Sequence, residues 1–433
     1  VTVRLEEERA ESADPMRLEW HEAGSAAAPF IVADDASALV AHGVRRVLPA
    51  TERASLGAAA AALLAEARGG NGVPLVVGAL PFASGRPARL FQPWSVRRLA
   101  PGALARELEA RDASSESRSA SALASASAGS DLRVMADPAR REYEELVEAA
   151  LARLGNGSRS ALRKVVLART LEVYLPEPVD VRALVARLYA DRSATTYCVP
   201  LDPSLAAGST GASGTDASSE PDGAPGVLVG ATPELLVEKR GAHVVSRPLA
   251  GSTRRRSDAR ADRAAAGALA RSAKDRLEHA LVVEHVADTL APHCSELRVP
   301  SAPELTSTST MWHLGTTVEG TLRDVDVTAL ELAAALHPTP AVCGLPGDLA
   351  MATIAELEPF DRGYFAGTVG WCDERGDGRW LVAIRCAEVA GATARLYAGA
   401  GIVAGSEPAA EAAETAAKFA TMLRALGVEW RDP

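Results

Sequence analysis

Helical and strand-like patterns of apolar positions mix along this chain without a β-α-β rhythm. Lys164-Val-Val-Leu-Ala-Arg169, Thr196-Tyr-Cys-Val-Pro200 and Gly226-Val-Leu-Val-Gly230 read as strands. Residues 234–238 and 243–249 flank Arg240-Gly241 as a hairpin, and 365–371, 380–388 and 394–403 read as a three-strand meander turning at 373–378 and around Gly391. A helix is predicted from Asp137-Pro138, a cap followed by a Pro in the first turn, to the stop signal at Gly155. A second runs from about Lys274 to Leu290, and a third follows the cap-like Ser406-Glu407-Pro408. Hairpins outnumber crossovers, so the pattern predicts an α+β architecture with largely antiparallel sheets and helices grouped outside them.

Two stretches interrupt the pattern. Residues 114–130 are rich in Ser and Ala, and 204–226 in Gly, Ser, Ala and Asp; neither can bury enough apolar surface to offset its ordering entropy, so both read as mobile surface loops. At 433 residues the chain can bury a large core, and its net charge of −10 with Lys and Arg spread out leaves no footprint for nucleic acid or an anionic membrane. The five cysteines are scattered, with no C-x-x-C pair, which indicates neither a disulfide framework nor a zinc site. A charged N-terminus without a signal-peptide core, and no apolar run long enough for a bilayer, predict a cytoplasmic protein with a small-molecule partner.

Ionisable residues inside apolar runs are the candidates for chemistry. Lys164 is either an edge-strand lysine that discourages aggregation or a partly desolvated general base. Glu234 is either a solvated carboxylate at a strand start or, if buried, an acid able to protonate a leaving group. Glu278 has Leu281 and Val282 three and four residues on, so a buried carboxylate there needs a salt bridge or a cation. Glu411, Glu414 and Lys418 share a helix face; they make an exposed ion pair or, together with Glu278, a magnesium site drawn from two helices. Arg385 can grip a carboxylate or serve a structural pair, and His313 is a core histidine or a group lining a substrate. The glycines at Gly399 and Gly401 suggest a bulge or close approach of backbone to a ligand.

In this order, the segments resemble the chorismate-utilising enzymes. The likeness covers residues 132–427 and rests on Lys164-Val-Val-Leu-Ala-Arg169, Pro233-Glu234-Leu-Leu236, Pro248-Leu-Ala-Gly251, Glu278-His279, Met311-Trp-His-Leu314, Leu336-His-Pro-Thr-Pro340, Glu358-Pro-Phe-Asp-Arg-Gly363, Gly399-Ala-Gly401 and Glu411-x-x-Glu414-Thr-x-x-Lys418. Val369-Gly-Trp-Cys-Asp373 and Ile384-Arg-Cys-Ala387 look like the isochorismate synthase branch that serves catecholate siderophores through 2,3-dihydroxybenzoate. The resemblance implies one large domain of two stacked antiparallel sheets, with 1–131 a variable N-terminal part of the same fold, 132–433 the chorismate-binding region and 204–226 a flexible insertion. It implies Lys164 as the base that activates water at C2 of chorismate and Glu234 as the acid that protonates the departing C4 hydroxyl. Glu278 and Glu414 correspond to the Mg2+ ligands, with Glu411 in or beside that shell. His313, Arg385, Tyr397, Gly399, Lys418, Ala250, Gly251 and Ser252 correspond to substrate-binding positions.

Departures from sister branches narrow the reaction. Ala250 stands where aminodeoxychorismate synthases often place a nucleophilic Lys. Glu284-His285-Val-Ala-Asp288 replaces the Arg-Asn-Asp run usual in anthranilate synthases, and no glutaminase segment is recognisable, so no glutaminase subunit is expected. Tyr397 falls where many salicylate synthases carry Arg, which favours isochorismate as the released product. Salicylate synthase and a non-catalytic chorismate-binding subunit are the alternatives, and a monomer or weak homodimer is expected.

Overall fold

A computed structural model describes residues 28–48, 52–68, 73–109, 132–155, 161–201 and 226–433. The stretches 114–130 and 204–225 lie outside the described residues. Among the described residues, two large sheets of ten and nine strands and a third of three strands are formed, and every strand pairing is antiparallel. One apolar core draws on both large sheets; a second lies where helices Val181–Tyr189 and Pro408–Leu426 pack on the ten-stranded sheet. Strands of the N-terminal third are built into both: Phe30–Ala33 pairs with Thr195–Leu201, and Leu75–Leu80 with Thr368–Asp373.

The spine of the ten-stranded sheet is an eleven-residue pairing between Lys164–Tyr174 and Thr393–Val403, continuous in register from Lys164↔Val403 to Tyr174↔Thr393. Lys164 is therefore no edge residue. Leu345 flanks it on the other side, and its side chain is fully buried.

Three of the short connections by which the chain passes between sheets bear on the site. Gly226–Thr232 belongs to the ten-stranded sheet and Leu235–Arg240 to the nine-stranded one, so Pro233-Glu234 is a crossing. His243–Arg247 leads through Pro248 into the small sheet at Leu249–Arg254. The segment 380–388, expected to be one strand, is two: Gly378–Val382 pairs in the nine-stranded sheet and Cys386–Ala390 in the ten-stranded one. Arg385 sits in that break at φ 53°, a left-handed backbone conformation, and so is not inside a strand. Two of the crossings are tied together by the Ala231 amide donating to the Arg385 carbonyl (3.1 Å) and the Val382 amide donating to the Glu234 carbonyl (3.2 Å).

The predicted helix at 137–155 is shorter, Arg140–Arg153, because Asp137 ends a strand that pairs with Thr170. Its cap is Ala139, whose amide donates to Glu142 three residues on. Helix Ala273–Leu290 starts from Ser272, whose hydroxyl accepts from the Asp275 amide. In the last helix, Glu407 holds the cap position and Pro408 opens the first turn.

Candidate active site

A cavity opens along one edge of the Thr393–Val403 strand. Its neighbour Cys386–Ala390 stops pairing at Ala387↔Leu396, which among the described residues leaves the strand from Tyr397 onward without a sheet partner on that side. Glu234, Ala250, Gly251, Ser252, Glu278, His313, Arg385, Tyr397, Gly399, Glu414 and Lys418 all line this cavity. Lys164 and Glu411 do not line it: Lys164 pairs with Glu278, which does, and Glu411 with Lys274, which does not.

Glu234 projects from the first crossing and is buried. Desolvation pushes its carboxyl up to about 7, against the pull of an amide hydrogen bond from Leu249 and of the Lys164, Lys418 and Arg385 charges. Across the cavity, Lys164 Nζ lies 3.0 Å from Glu278 Oε1. That contact is an ion pair without the alignment of a hydrogen bond. Gly401 makes room for it, since a Cβ there would come within 2.3 Å of Glu278 Oε1 and 3.1 Å of Lys164 Cε.

The other two acids also hold lysines. Glu414 Oε1 takes Lys418 Nζ at 2.7 Å and Ser252 Oγ at 2.7 Å; burial raises its carboxyl, but Lys418 and these hydrogen bonds win and hold it below the usual range. Ser252 reaches that far because the strand bulges at Gly251, φ 75°. Lys418 Nζ also donates to the Gly399 carbonyl at 2.7 Å. Glu411 pairs with Lys274; burial and the neighbouring Glu414 charge leave it raised. Arg385 differs. Among the described residues no carboxylate lies within ion-pair distance of it, and burial lowers its guanidinium to about 10 although Glu414 and Glu234 pull it upward. Its guanidinium meets His313 Nε2 at 3.5 Å, and burial beside it holds the His313 ring well below its ordinary value, hence neutral. The Tyr397 ring stacks on Phe365, with centroids 5.0 Å apart and planes 9° apart.

Of the three carboxylates, each paired with a lysine, Glu278 and Glu414 line the cavity, and carboxylate oxygens are the donors a hard cation takes. Among the described residues, no three His, Cys, Asp or Glu side chains converge as a closed ligand shell.

The profile of the chorismate binding enzymes matches residues 222–427. Isochorismate synthase DhbC of Bacillus subtilis is 43% identical over 92% of this chain and 94% of its own length. Isochorismate synthase EntC of Escherichia coli K12 is 40% identical over 85% of each chain. The crystal structure of DhbC from Bacillus anthracis, assigned as a 2,3-dihydroxybenzoate-specific isochorismate synthase, superimposes with a TM-score of 0.79 at 37% identity, covering 93% of this chain and 97% of that one. This chain belongs to the chorismate-binding enzymes.

In this family member, several residues that shape the site escaped the sequence reading of roles. Lys274 stands four residues before Glu278, a spacing that suggests a pair within the helix, yet it reaches across to Glu411 on another helix. Arg362 lines the cavity but is no free cation: Nε bonds Glu358 Oε2 at 2.8 Å, and its other nitrogens bond the Val342 and Val166 carbonyls at 2.8 and 2.7 Å. Glu358 in turn accepts from the Ala168 amide at 2.7 Å, so this pair fixes the cavity wall. Its signal was present in the Glu358-Pro-Phe-Asp-Arg362 run, where i and i+4 carry opposite charges.

Proposed function

We propose that this chain is an isochorismate synthase that isomerises chorismate with Mg2+, adding water at C2 and expelling the C4 hydroxyl while the ring double bonds shift. Atoms balance with Lys164 entering as the neutral amine, released from its ion pair with Glu278: the water oxygen bonds to C2 and gives a proton to that amine, the C4–O bond breaks, and Glu234 protonates the oxygen that leaves as water. What supports Glu234 as the acid is burial that pushes its carboxyl up to about 7 inside the cavity, so that a large share keeps its proton near neutrality. Lys164 is the proposed base, delivered by the strand that pairs with Thr393–Val403 along the cavity. Arg385, a buried cation without a carboxylate partner among the described residues, is the proposed grip on the enolpyruvyl carboxylate, with Gly399, Lys418 and Tyr397 beside it. His313, Ala250, Gly251 and Ser252 line the rest of the ring's path.

Glu278 and Glu414 would hold Mg2+, with Glu411 behind them on Lys274. When bound, the ion supplies positive charge for the C1 carboxylate of the substrate. The similarity to a 2,3-dihydroxybenzoate-specific enzyme supports siderophore synthesis through 2,3-dihydroxybenzoate as the proposed context here. The substrate is a small molecule, and among the described residues no helix is long and apolar enough to cross a membrane.

The single observation that carries this reading is that buried Glu234 and buried Arg385, the latter without a carboxylate partner among the described residues, face one cavity. Purified protein incubated with chorismate and Mg2+ should accumulate isochorismate without salicylate, resolved by chromatography. Prompt fluorescent salicylate would replace the reading with salicylate synthase, and no turnover would replace it with a binding subunit.

A further inference from the structure

We propose that Arg169 is a positioning residue that sets the rotation of the C-terminal helix and, through it, the direction of Glu411 and Glu414. The inference rests on the magnesium reading of those carboxylates. Arg169 lies on the same strand as Lys164, five residues on and therefore on the opposite face of the sheet, and it is fully buried. Its Nε donates to Thr415 Oγ1 at 2.9 Å and its Nη2 to the Ala412 carbonyl at 3.3 Å. Its Nη1 donates to Asp432 Oδ1 at 3.0 Å, and a second contact to Asp432 completes a two-pronged pair.

The two helix positions it touches, Ala412 and Thr415, each directly follow one of the glutamates. A helix can slide or roll on an apolar surface at little cost, because dispersion contacts are not directional. Hydrogen bonds to a carbonyl and a hydroxyl one turn apart fix both motions. The guanidinium is enclosed by the Tyr143, Phe419 and Trp430 rings, 5.5, 5.8 and 6.0 Å from their centroids. A buried ion pair is weak as a stabilising device, since desolvation offsets most of its attraction. An apolar side chain would fill this aromatic box as well. What an apolar side chain lacks is the angular definition that the cavity side of the helix needs.

Magnesium alone is the probe, with its Kd measured by calorimetry on the whole chain. Thr415→Val keeps shape but removes the acceptor from Arg169 Nε, and should weaken magnesium binding on the order of 10-fold, the cost typical of removing a supporting hydrogen bond behind a metal ligand. Thr415→Ser should restore the wild-type Kd. Saturating magnesium should recover most of kcat in the Val variant, which a misfolded protein would not show. Wild-type binding that is lost in Glu414→Gln but unchanged in Thr415→Val, whatever the melting temperature does, overturns the positioning role alone. Wild-type protein that binds no magnesium, or Glu414→Gln that binds it normally, overturns the metal reading and this inference with it.

Discussion

Glu234 and Arg385 are carried where the chain leaves one sheet for another, and that placement gives each its chemistry. Crossings end the strand ladder, so side chains there can face a cavity between layers instead of packing across a sheet. For Glu234 the consequence is a carboxyl that titrates near 7, against 4.5 when solvated. Between those pH values the folded protein holds the proton and the unfolded chain does not. Stability therefore falls as pH rises through that window and stays lowered above it. Glu234→Gln should lose turnover yet gain stability relative to wild type between pH 4.5 and 7, by roughly 3 kcal/mol at most, as read from denaturant melts at several pH values. A gap that does not change with pH would show that the carboxyl is solvated. Wild-type activity should decline on the alkaline side of about pH 7 as the acid form is lost.

Arg385 permits a two-part test. Arg385→Ala should raise KM for chorismate by ~30-fold or more, because truncating one partner of a buried charge pair costs at least about 2 kcal/mol. Arg385→Gly should lose the same binding but be the more stable of the two by ~1 kcal/mol, since glycine accepts φ 53° without strain. Equal melting midpoints would argue against strain at this position.

At the scale of elements, the Thr393–Val403 strand organises the site: its partner Lys164–Tyr174 delivers Lys164, and its open edge lines the cavity. Gly401→Ala tests this. The added methyl would strike the end of a flexible side chain, Glu278, and not backbone, so the fold should survive while the Lys164–Glu278 pair is forced apart. The expected outcome is a fall in kcat of roughly ten-fold or more, on the order of what displacing a catalytic group costs, with an unchanged circular dichroism spectrum. Wild-type kcat would mean that this pair is not in the working geometry.

Elements also show what the sequence could and could not disclose. Strands at 164–169, 196–200 and 226–230 were legible from apolar runs, and all three extend further in the structure. The division of 380–388 was not legible: Ala383-Ile384-Arg385 contains neither Gly nor Pro, and the break is imposed by two sheets claiming its two ends. Lys164 poses the same difficulty, because alternation states which face a residue takes but not whether neighbours cover the strand. Glu278 and Glu414 could be placed on helix faces by spacing alone. That Lys274 would take Glu411 required the packing of two distant helices.

At the scale of the whole molecule, the site is assembled from strands and helices spread between residues 164 and 418, so ligands that bind it should stabilise the entire fold. Magnesium at about 100 times its Kd should add about 2.7 kcal/mol to unfolding free energy, visible as a rise in melting temperature that EDTA removes and that Glu278→Gln and Glu414→Gln lack. A rise that persists in both variants would place the ion elsewhere. The resemblance of the motif set to chorismate-utilising enzymes predicted the family and the paired sheets; the third, three-stranded sheet that supplies Ser252 and His313 had no distinct signature in the sequence.

Central to the proposed chemistry is that water enters at C2 while the C4 oxygen departs, with Glu234 in the cavity as acid and Lys164 beside its lining residue Glu278 as base. Turnover of chorismate in oxygen-18 water, stopped early and read by mass spectrometry, tests it most directly. Isochorismate carrying one heavy oxygen at C2 is expected from the wild-type protein, and none from Lys164→Ala or Glu234→Gln. Unlabelled isochorismate, or labelled product from either variant at the wild-type rate, would contradict it.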